Sequence, residues 1–319
     1  MRVIKYLINF ISRKRFIKKQ TKIISKYIKA GIYKFNNNCY YIVLDENKEK
    51  KKAIDLLDEK LNERRKGFVE FVKKILSQGR VKIKNEEKRY NSTLILLTHQ
   101  NKSLKMFDFE NNVVITKYFK HEEYLKTKRN YEHFKKSFKT PQIINTNDNE
   151  SVIIEEFINY TPTSTLNNKQ KDYLINDIFE RYIKYLKNNK DIIAVNNNYA
   201  SIKSLGDLMY KNIFYKEDEF YYIDFELSSE NFILYDIFTF IFYAYYNNDE
   251  AHFYKNYING SYDKFISEIF NISGISYDNN KKSPYFDIFL NERIKEENKF
   301  SETDVESSLR NKYENLKKL

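Results

Sequence analysis

The chain has little of what most often gives a function away. Its 319 residues include one cysteine, Cys39, so no internal disulfide can form, and a cytoplasmic protein is expected. The four histidines, His99, His121, His133 and His252, show no paired spacing, which with a lone thiol argues against a zinc site. Six glycines and three prolines leave Asn and Asp to make most of the turns. Long apolar runs are missing too. The opening MRVIKYLINFISRKRF is interrupted too often to span a bilayer and lacks a small-residue cleavage pattern, so neither a membrane span nor a signal peptide is expected there.

Acid is absent from one end. Residues 1–44 carry 11 Lys or Arg and no Asp or Glu, whereas the rest is close to neutral, 45 basic against 44 acidic. The formal charge of +12 is therefore local. With no reader motif beside it, such an end is poor evidence for nucleic-acid binding. Ile4, Leu7, Ile8 and Ile11 recur at helical spacing, so residues 1–35 are expected to form a basic amphipathic helix. Such a helix either docks with its lysines solvated or lies on an anionic membrane surface, peripheral to the inner face.

What is present supports a sizeable folded core, with 41% hydrophobic and 17% aromatic residues. The pattern gives a basic, mainly helical extension over 1–90, with one strand at Cys39–Leu44 and further helix over 46–79. After residue 90 three strands are expected in STLILL, LKMFDF and VVITKYF, then a helix from His121 to about Lys139 and a strand in SVIIEEF. From residue 168 the chain reads as helical, with Tyr173, Leu174, Ile178, Tyr182 and Leu186 as the apolar positions. FILYDIFTFIFYAYY reads as a central buried helix rather than a membrane span. A small β-rich lobe at 91–158 followed by a helical lobe at 159–319 makes an α+β, two-lobed fold whose intervening cleft suits a nucleotide.

The stretch LGDLMYKNIFYKEDEFYYIDFE sets Asp207, Asn212 and Asp224 among apolar neighbours. Phosphoryl transfer from ATP needs a carboxylate beside the acceptor hydroxyl, and oxygen ligands that hold Mg²⁺ against the triphosphate. A D-L-x-x-x-N loop followed by a strand ending in Asp supplies all three groups. Asp207 is then the base, and Asn212 and Asp224 are the metal ligands.

GDLMYKNIF and YYIDFELSSENFILYDI resemble the catalytic loop and metal-binding segment of the aminoglycoside phosphotransferase and choline kinase superfamily, whose fold is protein kinase-like. The likeness extends with decreasing clarity over roughly residues 91 to 250. It implies ATP and Mg²⁺ as cofactors and a small-molecule or cell-envelope glycan hydroxyl as acceptor. VVITK resembles the strand whose lysine contacts the α- and β-phosphates, so Lys117 takes that role and Ile115 roofs the adenine. IIEEF resembles the hinge, with the backbone near Glu155 and Phe157 bonding adenine. Glu132, with Glu123 as alternate, is the helix glutamate implied to pair with Lys117. Asp236 is expected to support the structure by accepting hydrogen bonds from the catalytic-loop backbone.

Departures from the family pattern matter as well. The loop Thr98 to Ser103 has no glycine to wrap phosphates, and Leu205 stands where a histidine is usual. Eleven residues between Asp224 and Asp236, and no A-P-E, disfavour a protein kinase. IDFE and the residues after it favour a choline or ethanolamine kinase as a narrower reading. The missing glycines allow an inactive kinase-like binding protein. Phe238, Phe240, Phe242 and Tyr243 read as core, although an amino-alcohol substrate would need a cation cage of that kind.

Overall fold

The computed structural model describes residues 19, 21–36, 41–44, 78–83, 90, 92–97, 102–196, 199–299 and 305–319. Of the helices expected over 1–35 and 46–79, residues 1–18 and 46–77 lie outside these residues, as does most of the loop from Thr98, and Gln78 and Gly79 are strand. The described residues are α+β and form two compact units. One holds those up to Leu125 with Gln142–Ile158; the other holds Lys126–Pro141 and Asn159–Leu319.

The first unit is built on one sheet. Its strands are β1 (Gly31–Asn36), β2 (Tyr41–Leu44), β3 (Gln78–Ile83), β4 (Leu94–Leu97), β5 (Ser103–Asp108), β6 (Val113–Tyr118), β7 (Ile143–Asn147) and β8 (Val152–Glu156). Their spatial order is β3-β1-β2-β4-β5-β6-β8-β7. The described strands from the first 90 residues are therefore part of this sheet, and residues 31–36 are strand where the sequence suggested helix. Helix ends at Ile24, a turn follows over 25–27, and Ile28 already bridges to Tyr90.

Register assigns the two faces of the sheet. Met106 stands opposite Ile115 and Leu104 opposite Lys117, so these four share a side. That side carries a core of Ile24, Ile28, Tyr33, Ile83, Ile95, Leu104, Met106, Ile115 and Val152. The other side carries Tyr118 and Ile153, which pack on Tyr124. Tyr124 belongs to α1 (His121–Phe134), so this helix covers the face opposite to Ile115 and Lys117.

The second unit begins its helical part with α2 (Asn168–Asn188). The start is fixed by a capping box: the Asn167 side chain accepts from the Gln170 N–H, and the Gln170 side chain accepts from the Asn167 N–H. Leu174, Ile178, Tyr182 and Leu186 are buried as their spacing requires, whereas Tyr173 is 51% exposed. Two three-stranded sheets follow. β9 (Thr161–Pro162), β12 (Ile213–Lys216) and β13 (Glu219–Tyr222) make one; β10 (Ala194–Asn196), β11 (Tyr199–Lys203) and β14 (Glu230–Phe232) make the other.

Helix α3 (Tyr235–Asn248) runs through the core of this unit, with every residue from Tyr235 to Ala244 buried. Phe238, Phe240, Phe242 and Tyr243 are core, as their pattern suggested. Around α3 lie α4 (His252–Ile258), α5 (Asp263–Ile272), α6 (Lys282–Asn298) and α7 (Val305–Lys317). Phe286 and Phe289 of α6 pack on Phe238 and Phe242. Among the described residues no helix is long and apolar enough to cross a membrane.

Candidate active site

The loop Ser204–Asn212 is held by backbone and buried polar contacts from three directions. Asp236, fully buried near the start of α3, accepts from the N–H groups of Leu205 (2.8 Å) and Gly206 (3.0 Å). Both oxygens are acceptors, so the ionised carboxylate fits the geometry. Burial pushes its pKa up to about 7, against the pull of the two N–H groups and of Arg293. The segment after Asp224 closes on the loop from a second side. Ser204 N–H donates to the Ser229 carbonyl, the Ser228 hydroxyl donates to the Ser204 carbonyl, and Asn231 donates to the Ser204 hydroxyl. Gly206 has φ +92°, and a Cβ there would lie 2.7 Å from the Leu227 carbonyl carbon. Only glycine allows that approach.

Asp207 is 7% exposed and its two oxygens have different partners. Oδ1 accepts from the Arg293 guanidinium at 3.1 Å. Oδ2 accepts from the Asn212 amide at 3.1 Å and lies 2.8 Å from Lys211 Nζ. Burial alone would raise its pKa; Lys211 and Arg293 reverse that and hold the carboxyl below its usual value. Asn212 also donates to the Asp207 carbonyl at 2.7 Å. Its amide nitrogen is thus committed, and its amide oxygen is the end left for a metal.

The β12–β13 hairpin brings Asp224 beside this pair. Ile213 pairs with Tyr222, and the Ile223 N–H donates to the Asn212 carbonyl at 3.0 Å. The next residue is Asp224, at φ +67°, a left-handed conformation rare for a residue with a side chain. Its carboxylate has no hydrogen bond or ion pair among the described residues. The Asn130 side chain holds the following peptide by donating to the Phe225 carbonyl at 2.8 Å. Backbone strain of this kind, on an unengaged carboxylate, is typical of functional positions. Asn212 carries an amide oxygen and Asp224 a carboxylate, the kinds of hard donor that Mg²⁺ takes.

The first unit places the expected nucleotide residues differently. Ile115 is 5% exposed and closed into the core with Ile24 and Ile28, so it offers no open surface to an adenine ring. Lys117 shares its side of the sheet, away from α1. Its ammonium donates to the Glu150 carbonyl and lies 5.8 Å from the Tyr27 ring. Burial lowers its pKa, with Glu150 opposing. Glu123, the alternate partner, forms an ion pair with Lys102 at 3.5 Å, and Glu132 pairs with Lys135 at 2.6 Å. The lysine that shares a face with α1 is Lys105 of β5, opposite Thr116. Strand alternation shows that Ile115 and Lys117 lie together, but not on which side the helix packs.

The backbone of the expected hinge makes contacts of its own. The Phe157 N–H is already taken by the Asn112 carbonyl at 2.8 Å, and its ring packs edge-on against Phe109. Glu155 lies inside the sheet, opposite Val114 on one side and Ile143 on the other. The Phe157 N–H is therefore not open to adenine in this structure.

Arg293 is the residue that sequence reasoning missed. It is 3% exposed on α6 and lies 86 residues from its partner Asp207. No local pattern links them. In FLNERI, with Asn291 and Glu292 beside it, the arginine reads as part of an ordinary polar helix face.

The chain matches solved structures of choline kinases and aminoglycoside phosphotransferases. A choline kinase from Streptococcus pneumoniae matches at 15% identity and TM-score 0.41, over 70% of this chain and 94% of that one. A choline/ethanolamine kinase family protein from Mesorhizobium loti matches at 9% identity and TM-score 0.36, over 70% and 86%. An aminoglycoside phosphotransferase from Streptomyces rimosus matches at 8% identity and TM-score 0.38, over 60% and 90%. No protein-family model and no curated protein matches the sequence.

Proposed function

We propose that the protein is an ATP- and Mg²⁺-dependent phosphotransferase acting on a hydroxyl of a small molecule or cell-envelope glycan. What supports this reading is that Asn212 bonds Asp207 and that Ile223, the residue before the left-handed Asp224, bonds the Asn212 backbone within the same unit. Asn212 and Asp224 are the residues that would hold the metal, which supplies charge neutralisation on the phosphates when bound. Asp207 accepts a hydrogen bond from the acceptor hydroxyl and holds its oxygen in line. It receives the proton late, as the new P–O bond forms. A choline or ethanolamine acceptor is the narrower version of the same reading.

The test is an ADP-formation assay of the full chain with Mg²⁺-ATP over amino alcohols, aminoglycosides, sugars and envelope glycans. Acceptor-dependent ADP release is expected. Asp224→Ala should abolish it while leaving the thermal midpoint unchanged or slightly raised, because no described protein group loses a partner. Full activity in that variant would refute the assignment.

A second reading, a kinase-like protein that binds without turnover, is favoured by the first unit. Ile115 is closed into the core, the Phe157 N–H is occupied, and Lys117 faces away from α1. Calorimetric binding of Mg²⁺-ATP with no phosphate transfer to any acceptor would select it.

A further inference from the structure

We propose that Arg293 is a positioning residue for phosphoryl transfer, fixing Asp207 in one rotamer so that Oδ2 is the oxygen that meets the acceptor hydroxyl. The proposal rests on the phosphotransferase reading above and names the device that would make Asp207 serve it.

The guanidinium is anchored on several sides before it reaches the loop. Its Nε donates to the Tyr243 hydroxyl at 3.1 Å, and its carbon lies 4.8 Å from the centre of that ring. One terminal nitrogen donates to Glu297 at 2.6 Å, one helical turn along α6. Glu297 in turn accepts from the Tyr243 hydroxyl at 2.9 Å. Held there, the fork points at two adjacent residues: the Gly206 carbonyl at 2.9 Å and Asp207 Oδ1 at 3.1 Å. Arginine is the side chain suited to this, since its planar donors have a fixed geometry and stay charged.

A purely structural tie between α6 and the loop does not need a cation. Apolar side chains of similar volume fill such a place at equal or better stability. What the guanidinium adds is direction. Its bond to one carboxylate oxygen fixes the plane of the group and the direction in which the other oxygen points. The groups on Oδ2 are different: Asn212 is buried, but the Lys211 side chain is 35% exposed and its ammonium can swing to solvent. Oδ2 is therefore the oxygen that can open to a hydroxyl.

The charges around Asp207 are Arg293 from α6, Lys211 from its own loop and, opposing them, Asp236 from α3. Glu297, Tyr235 and Tyr243 surround the guanidinium itself.

The test uses the full chain with Arg293→Met and Arg293→Lys, with kcat and the KM values for ATP and acceptor measured separately and folding checked by thermal unfolding. In Arg293→Met the fall in kcat should be on the order of 100-fold, with the KM for ATP little changed, because the base is misplaced rather than the nucleotide. Arg293→Lys should not restore kcat, since it returns charge without the fork. If Arg293→Met does not fold, Glu297→Gln and Tyr243→Phe loosen the same guanidinium and should lower kcat by less, again with the KM for ATP little changed. Folded variants with an unchanged kcat overturn the proposal while leaving the phosphotransferase reading standing. A wild-type chain that transfers phosphate to nothing sinks that reading, and this role with it.

Discussion

Asp207→Asn is expected to reduce phosphate transfer by about 10³-fold or more, with the fold retained. The amide keeps one oxygen for Arg293, so the buried guanidinium is not stranded. Its NH₂ group replaces Oδ2 and meets two donors, Asn212 and Lys211. Lys211 can relieve that conflict by turning to water. The acceptor hydroxyl, in contrast, loses the group that would take its proton. Asp207→Ala is a different experiment. It removes one of the two carboxylates on a nearly fully buried arginine and should cost about 3 kcal/mol of stability. Loss of activity in the alanine variant alone would not separate chemistry from folding, so the asparagine variant, checked by urea denaturation, decides it. Transfer at wild-type rates in Asp207→Asn would remove Asp207 from the mechanism.

Gly206→Ala should be strongly damaging for a single methyl group. Two penalties coincide there: a φ of +92° that side chains rarely adopt, and overlap with the backbone of Leu227. Neither can be relieved by rotating a neighbour, because the obstacle is main chain. A destabilisation on the order of 3–5 kcal/mol is expected, measured by chemical denaturation. Relief could come only by lifting the loop from the 227–229 segment, which would also break the Leu205 and Gly206 bonds to Asp236. Residual folded protein should therefore be inactive even when saturated with nucleotide. Gly274, at φ +76° with open space around it, is the control: alanine there meets only the backbone penalty.

Much of the second unit was legible because its signals are local. The D-L-x-x-x-N spacing, the apolar period of α2 and the unbroken apolar run of α3 each lie within one element. Of the β12–β13 hairpin only the second strand was legible, as the apolar run before Asp224. Its two-residue turn uses Glu217 and Asp218 at φ +52° and +62°, with no Gly or Asn to advertise it. Arg293 was invisible for another reason, since its partner lies 86 residues away and burial is a property of the folded chain. In the first unit the strands were readable, but the side on which α1 packs was not, and the roles given to Ile115 and Lys117 depended on that.

The joining of β2 to β4 bears on how this protein can be handled. Trimming the chain to begin near residue 91 would look like isolating a minimal catalytic piece. It would instead bare a row of unsatisfied peptide groups along β4 and strip Ile24, Ile28, Tyr33 and Ile83 from the hydrophobic interior. Such a fragment should be sticky and prone to precipitate through its open flank.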